Sequence, residues 1–353
     1  MTTISTAADA SATTAPRPEH RSSAGLSVGL VVLLGVLLAV TFLSIVLGSR
    51  GVGLGTIWSA ITDHDPTSTD EVVIRDLRLP RTIIGLLAGA ALGMAGAILQ
   101  GLTRNALADP GIMGINSGAA AAVVISIMVV GTSDVTSYIW WAFVGAGVAT
   151  TVVYGVASFG REGATPIKLA LAGAAVSAGC YSITTGVTMV NSDALNELRF
   201  WQVGSLAGRY WPIVEQTAPF LLTGIAIAVF AGRWLNGLAL GDDVATALGQ
   251  KVGRTRAVLF VLVTLLAGGA TAACGPIVFI GLVVPHMARA ICGPDYRWIM
   301  TYSLLLSPIV LLTADILGRL ITFSGEVQVG VVLGLLGAPA FAFLIRRKNM
   351  AEL

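Results

Sequence analysis

The sequence predicts an all-α polytopic membrane protein with about ten transmembrane helices. Two features of composition carry this prediction: 55% of the residues are hydrophobic and only 11% are charged. Soluble domains contain about 25% charged residues. The third feature is a series of apolar windows, most of them near the roughly twenty residues that a helix needs to cross the bilayer core. These windows are 26–48, 82–102, 117–133, 138–158, 168–190, 212–232, 256–275, 277–292, 299–321 and 327–345.

The first window begins after a polar tail. Residues 1–25 are rich in Ala, Ser, Thr and Pro and predict a disordered segment. The apolar run 26–48 exceeds the roughly 7–15 residues of a signal-peptide core, so an uncleaved first span is favoured. One transmembrane domain is predicted from there, over residues 26–349.

The second window has an unusual beginning, because Arg78 and Arg81 flank Pro80 just before a long uncharged run. Proline is ordinary in the first turn of a helix, where its missing N–H would be unpaired anyway. Arginines gain nothing there, since the N-terminal end of a helix already carries partial positive charge. We therefore expect a negative group outside the helix to account for them, and a docking face rather than a catalytic pocket.

Three connections between the windows are longer than a turn requires. Residues 49–81 contain a short amphipathic stretch, and residues 191–211 contain aromatic residues suited to a membrane interface. Residues 233–256 can form two short helices around Gly241 and Gly249, one of them with an apolar face. Such a helix can insert into a groove on a partner protein. The alternative is a helix lying on the membrane surface.

The distribution of basic residues predicts the topology. Ten windows place both termini on one side of the membrane. Fourteen of the 21 Lys and Arg residues fall in segments on that side and seven on the other. Because cytoplasmic loops are enriched in Lys and Arg, we expect cytoplasmic N- and C-termini, including the 1–25 tail and the 233–256 connection.

Catalytic and energy-coupling motifs are nearly absent. No G-x-x-x-x-G-K-[ST] sequence is present, so the chain is not expected to bind ATP through a P-loop. The one carboxylate well inside a window is Asp315, and Arg319 follows at a spacing that permits an ion pair within one helix. This scarcity argues against proton or sodium coupling, because ion-driven carriers place ionisable groups near the bilayer midplane.

Several separated motifs occur in a recognisable order. They are RLPR (78–81), GAILQ with NALADPGIMG (96–114), LALAG (169–173), ALGDDVATALG (239–249), GPIVFIGLVVPHMAR (275–289), ADILGR (314–319) and LGAPAFAFLI (336–345). On these motifs the chain resembles the FecCD family, the permeases of ABC importers for iron-siderophore complexes, haem and cobalamin. One departure is Asn105-Ala106, where the family usually has Asn-Pro.

The resemblance implies a cobalamin-permease-like type II importer fold in the bacterial cytoplasmic membrane. It implies a second permease subunit, identical or paralogous, and an extracytoplasmic substrate-binding protein. Two cytoplasmic ATPase subunits would hold ATP and Mg, while this chain would be no enzyme and would bind no cofactor or metal. The favoured cargo is an iron-siderophore complex, with cobalamin or haem as alternatives within the family. An ion-driven secondary carrier and a membrane-embedded enzyme are the rivals from other classes.

The resemblance also assigns roles to individual residues. Docking of the binding protein is assigned to Arg78, Arg81 and Arg319, and the inner gate to Thr165, Pro166 and Ile167. Coupling to the ATPases is assigned to Gly241, Asp242, Asp243, Ala245, Leu248 and Gly249. Lining of the pathway is assigned to Ser177, Thr184 and Thr188, whose hydroxyls have the alternative of bonding to their own helix backbone.

Overall fold

The computed structural model describes residues 23–48, 51–62, 65–131, 135–160, 164–321 and 325–346. Most of the tail predicted over 1–25 lies outside these residues. The described part is helical and contains no β-strand. Its α-helices are α1 (Ser23–Val46), α2 (Leu54–Thr62), α3 (Thr69–Val72), α4 (Leu79–Thr103), α5 (Ile115–Val130), α6 (Val135–Ala157), α7 (Pro166–Val190), α8 (Ser192–Trp201), α9 (Trp211–Ala239), α10 (Asp242–Ala247), α11 (Val252–Cys274), α12 (Ile280–Cys292), α13 (Tyr296–Leu320) and α14 (Val329–Arg346).

Each of the ten apolar windows coincides with one of these helices. Seven helical segments within the described residues are long and apolar enough to cross a membrane: α1, α3 through α4, α6, α7, α9, α11 and α13. Three shorter apolar helices, α5, α12 and α14, occupy the remaining windows. The all-helical membrane fold is therefore confirmed, whereas the count of ten complete crossings stays a prediction.

Helix α4 forms the centre of the bundle and packs against α13, α11, α9 and α12. Small residues on α4 permit this close packing. A Cβ at Gly89 would press against the backbone of Pro308, and one at Gly96 would collide with the Gly281 carbonyl. Helix α1 lies at the periphery and contacts mainly α13, leaving most of its apolar surface uncovered.

Residues 233–256 differ from the prediction of two short helices. Helix α9 continues to Ala239 and α11 begins at Val252, so only α10 lies between them. The glycines explain the breaks, because Gly241 has φ +106° and Gly249 has φ +85°, conformations that favour glycine. The long helices thus extend into the connection, and α10 is a single short helix held between two glycines.

Three segments of the described chain that are not α-helical contribute to the interior of the bundle. A short 3-10 helix, Pro110–Met113, precedes α5, residues 202–210 follow α8, and residues 275–279 join α11 to α12. The second and third segments touch each other, since the Ser205 amide donates to the Cys274 carbonyl at 2.8 Å. The Asp109 carboxylate caps the 3-10 helix by accepting from the Gly111 amide at 2.8 Å. These breaks place polar groups in the interior.

Candidate functional site

Arg78 and Arg319 close the C-terminal end of α1. Arg78 Nη1 donates to the carbonyl oxygens of Ile45 (2.8 Å) and Val46 (2.7 Å). Arg319 Nη1 donates to those of Ser44 (2.9 Å) and Leu47 (2.8 Å). The last carbonyls of a helix have no partner within the helix and carry partial negative charge, so cations stabilise that end. Both arginines are nearly buried, with exposed fractions of 6% and 3%.

Arg81 lies beside them and forms ion pairs with two carboxylates. Its Nη2 lies 2.7 Å from Asp315 Oδ1, and its Nη1 lies 2.7 Å from Glu326 Oε2. The Asp315 carboxylate also forms an ion pair with Arg319, whose Nη2 lies 3.0 Å from Asp315 Oδ2; this is the pairing within α13 that the sequence spacing permits. Asp315 is buried and Glu326 is about one-third exposed. One buried carboxylate therefore links α4 to α13.

These side chains line a cavity of ≈ 290 Å³ that we call the arginine pocket, defined by Arg78, Arg81, Arg209, Arg319 and Glu326. Arg209 was not singled out from the sequence. It is 7% exposed, and its Nε has no hydrogen-bond partner within the described residues. Four arginines and one glutamate line the cavity, with the Asp315 carboxylate paired to two of those arginines, so positive charge is in excess. Such a cavity favours an anionic group.

The geometry accounts for the cations at the start of α4. The negative partners expected outside that helix are the end of α1 for Arg78, and Asp315 with Glu326 for Arg81. Docking by Arg78, Arg81 and Arg319 stays a prediction. A signal for Arg209 was present in the sequence, since it lies within the 191–211 connection, next to aromatic residues suited to a membrane interface.

The predicted coupling segment forms a compact unit anchored by Asp242. Its Oδ1 accepts from Arg104 Nη2 at 2.5 Å and from Arg256 Nη2 at 2.9 Å, so α10 is tied to the end of α4 and to α11. Ala245 packs inward and is fully buried. Three apolar side chains of this segment are exposed: Leu240, Val244 and Leu248. Asp243 is exposed as well, between the same two glycines.

The predicted gate residues begin α7. The Thr165 hydroxyl accepts from the Lys168 amide at 3.4 Å, and Pro166 occupies the first helical position. Both residues therefore have a role in starting the helix. Pro166 and Ile167 are both exposed, whereas Thr165 is half-buried, so Pro166 and Ile167 are available for contact with another chain.

Two of the three predicted pathway residues donate their hydroxyl protons to carbonyl groups of their own helix. Thr184 donates to the Cys180 carbonyl and Thr188 to the Thr184 carbonyl, at 2.9 and 3.0 Å, which is the backbone pairing that the alternative interpretation describes. Ser177 accepts from Ser117 at 3.1 Å. Thr184 lines a second cavity, of ≈ 360 Å³, whereas Ser177 and Thr188 lie outside its lining. The pathway role stays a prediction.

No group of three or more His, Cys, Asp or Glu residues within the described ranges is arranged to hold a metal ion. Ion pairs occur instead in the arginine pocket and at Asp242. The two charged regions therefore involve contacts between helices, and each leaves a surface or a pocket open.

Comparison with known proteins gives a match over nearly the whole chain. The FecCD transport family matches residues 36–347. The ferric enterobactin transport system permease protein FepD of Escherichia coli (strain K12) is 44% identical over 318 residues, covering 90% of this chain and 94% of that protein. The iron(3+)-hydroxamate import system permease protein FhuB of Bacillus subtilis (strain 168) is 41% identical over 308 residues, covering 87% and 80%.

A solved structure has the same fold. It is described as an inward-facing conformation of a putative metal-chelate type ABC transporter, and it aligns with a TM-score of 0.79 at 24% sequence identity. The alignment covers 90% of this chain and 99% of that chain. At this level of identity the likeness concerns the fold alone.

Proposed function

We propose, from the premise that this chain belongs to the FecCD transport family, that it carries iron-siderophore complexes through the membrane as the permease subunit of an ABC importer. The observation that carries the proposal is the match with siderophore permeases along nearly the full length of the chain. Fold similarity to a metal-chelate type ABC transporter supports it. The seven long apolar helices of the described residues fit a multi-pass membrane protein.

The arginine pocket and the α10 segment are the proposed contacts with partner proteins. Excess positive charge in the pocket supports docking of an acidic group from an extracytoplasmic substrate-binding protein. Exposed Leu240, Val244 and Leu248 support insertion of the α10 segment into a cleft of an ATPase subunit. The chain has no P-loop sequence, so ATP and Mg would be bound by two ATPase subunits and no cofactor by the permease.

In the proposed mechanism, ATP binding brings the two ATPase subunits together. Each would move the α10 segment of its permease, and Asp242 would pass that displacement to α4 and α11 through Arg104 and Arg256. Two permeases, identical or paralogous, would then rock relative to each other and alternate access to a shared pathway. Both chain termini would lie in the cytoplasm.

Radioactive iron uptake tests the transport assignment. Cells that lack this chain should lose uptake of at least one ferric siderophore and regain it when the chain is restored. Cobalamin and haem uptake, measured in the same strains, should not change. If the cells lost cobalamin or haem uptake and kept ferric siderophore uptake, the chain would be a cobalamin or haem permease of the same family.

The energy source separates an ABC importer from an ion-driven carrier. The complex purified with its ATPase subunits should accumulate siderophore in vesicles only when ATP is inside, and an ionophore should have no effect. Uphill uptake by this chain alone, abolished by the ionophore, would overturn the proposal.

Arg209 offers a test of docking that avoids the ion pairs. We expect Arg209→Gln to weaken association with the binding protein that co-purifies with the complex by about tenfold, mainly through slower association at low salt. Arg199→Gln, on the preceding helix and outside the pocket lining, is the matched control. If Arg209→Gln and the parent associated equally with the binding protein, the arginine pocket would not be part of the docking surface.

A further inference from the structure

We propose that Asn116, Tyr181 and Gln202 contact the cargo in the second cavity, which is a neutral hydrogen-bonding site separate from the arginine pocket. This inference rests on the proposed function and names where the cargo meets this chain. The cavity measures ≈ 360 Å³ and lies between the start of α5, the middle of α7 and the non-helical segments that follow α8 and α11. None of the described residues lining it is charged.

The depth of the cavity follows from its hydrogen bonds. Ser117, in its lining, donates to Ser177, which is the twelfth of the 25 residues of α7. At 1.5 Å per residue, Ser177 lies roughly 17 Å from the beginning of that helix, near the middle of a bilayer core about 30 Å thick. The first turn of α5 therefore begins within the membrane rather than at its surface.

The walls of the cavity include backbone that is not helical. The Gly330 amide donates to the Gly204 carbonyl at 3.1 Å, and a Cβ at Gly204 would collide with the Pro276 carbonyl. At membrane depth, non-helical backbone is tolerated where it is buried in protein or lines a water-filled space. Membrane transporters form their substrate sites at such interrupted helices. Both arguments favour an aqueous cargo site here.

The polar groups of the lining divide into two sets. Ser117 and Thr184 donate their hydroxyl protons to neighbouring protein atoms, and Asn116 accepts from the Thr271 hydroxyl at 3.0 Å. Within the part of the chain that the structure describes, the Tyr181 hydroxyl and the Gln202 side-chain carboxamide make no hydrogen bond, and both residues are exposed. The Asn116 amide nitrogen likewise donates to no described residue. These three residues retain groups for a ligand.

The lining indicates the chemistry of the ligand surface. Phenol and carboxamide groups both donate and accept hydrogen bonds, while the absence of charge in the lining gives no preference for an ionic ligand. They fit an iron chelate whose metal is fully coordinated and whose surface presents amide, ester or hydroxyl groups. Ligand sites usually measure about 300–1,000 Å³, so a cavity of ≈ 360 Å³ on one chain would hold one edge of such a molecule.

Thiol labelling tests whether the cavity contains water. Tyr181→Cys and Gln202→Cys should react with a membrane-impermeant methanethiosulfonate at least tenfold faster than Val32→Cys, which lies on the exposed apolar surface of α1. The parent chain, with its native cysteines, provides the background. Reaction as slow as that of Val32→Cys would overturn the proposal.

Uptake kinetics test contact with the cargo. With ferric enterobactin and ferrioxamine B as probes, Tyr181→Phe and Gln202→Leu should each change the KM or the maximal rate about fivefold for the cargo that the parent transports. Ser182→Ala is the control, because Ser182 donates to the Ala178 carbonyl in the same helix and lies outside the lining. If both variants had the same uptake kinetics as the parent, the proposed contact with the cargo would be wrong, even if cysteines at positions 181 and 202 react rapidly with the thiol reagent.

The two experiments separate failure of this inference from failure of the proposed function. If the parent transports neither probe nor any other ferric siderophore, the proposed function fails and the cargo contact fails with it. Fast labelling at positions 181 and 202 would then still establish the water-filled cavity. If the parent transports a siderophore and the variants match it, only the cargo contact fails.

Discussion

At the scale of single residues, Asp315 organises the outer arginines. It is the buried carboxylate shared by Arg81 and Arg319, while Glu326 pairs with Arg81 nearer the surface. A buried carboxylate is stable only with such partners, and removal of one partner leaves the other charges uncompensated. The same cluster therefore joins α4 to α13 and sets the positions of the guanidinium groups that face the pocket.

The two carboxylates offer a matched comparison of buried and exposed ion pairs. We expect Asp315→Asn to destabilise the fold by about 3–5 kcal/mol, since it strands two buried cations. Glu326→Gln breaks a pair with the same arginine, but its partial exposure limits the expected loss to about 0–1 kcal/mol. Thermal unfolding in detergent measures both. Equal destabilisation would show that burial does not determine the energy of the cluster.

At the scale of helices and their connections, glycine determines where elements approach each other. Gly330 begins α14 against the segment after α8, and a Cβ at this position would collide with the Val203 carbonyl. Gly334, one turn later on the same helix, has no neighbouring atom within 4 Å of such a Cβ. Backbone cannot yield as a flexible side chain can, so Gly330 is required for the close approach of α14 to the Val203 segment, whereas Gly334 is not required for any such contact.

Alanine substitution separates these functions. Gly330→Ala should move α14 away from the Val203 segment, lower thermal stability by at least 1 kcal/mol and change thiol labelling at position 202. Gly334→Ala should be neutral or raise stability by up to about 1 kcal/mol, because alanine is the better helix former. Unfolding in detergent and labelling rates measure both effects. If Gly330→Ala left the labelling rate at position 202 unchanged, the position of α14 would not determine the shape of the second cavity.

Asp242 is the corresponding anchor at the other charged region. Asp242→Asn removes the carboxylate that Arg104 and Arg256 share, so α10 should lose its fixed position relative to α4 and α11. In a complex with ATPase subunits, we expect ATP hydrolysis to continue while siderophore uptake falls about tenfold. Glu215→Gln, an exposed carboxylate at the start of α9, should change neither rate. A parallel loss of hydrolysis and uptake would instead indicate failed assembly.

The sequence located the elements better than their contacts. All ten apolar windows contain helices, because hydrophobicity along a continuous stretch is a local property. The spacing of Asp315 and Arg319 in one helix did indicate their ion pair. The pairings of Arg78 and Arg81, by contrast, could not be deduced, since the end of α1 and Asp315 are distant from them along the chain. For the same reason Arg209 was missed. The 233–256 connection was predicted with one helix too many, because its periodicity does not show where α9 and α11 end.

At the scale of the whole molecule, the charged regions lie at different connections of one apolar bundle. The arginine pocket involves the start of α4, the end of α13 and the segment before α9. The Asp242 anchor involves the ends of α4 and α9 and the start of α11. Since α4 takes part in both, at opposite ends, it is the direct physical link between the proposed outer and inner partners.

The orientation of this bundle in the membrane is the last prediction. The α10–α11 connection contains Lys251 and the start of α11 contains Arg254 and Arg256, whereas the connection before α4 is richer in acidic residues. Because Lys and Arg accumulate in cytoplasmic loops, we expect a membrane-impermeant maleimide to label Thr67→Cys in intact spheroplasts but Lys251→Cys only after permeabilisation. Both positions are exposed, so burial does not explain a difference. The opposite labelling would invert the topology and place the arginine pocket on the side of the ATPases, which would contradict both proposed docking surfaces at once.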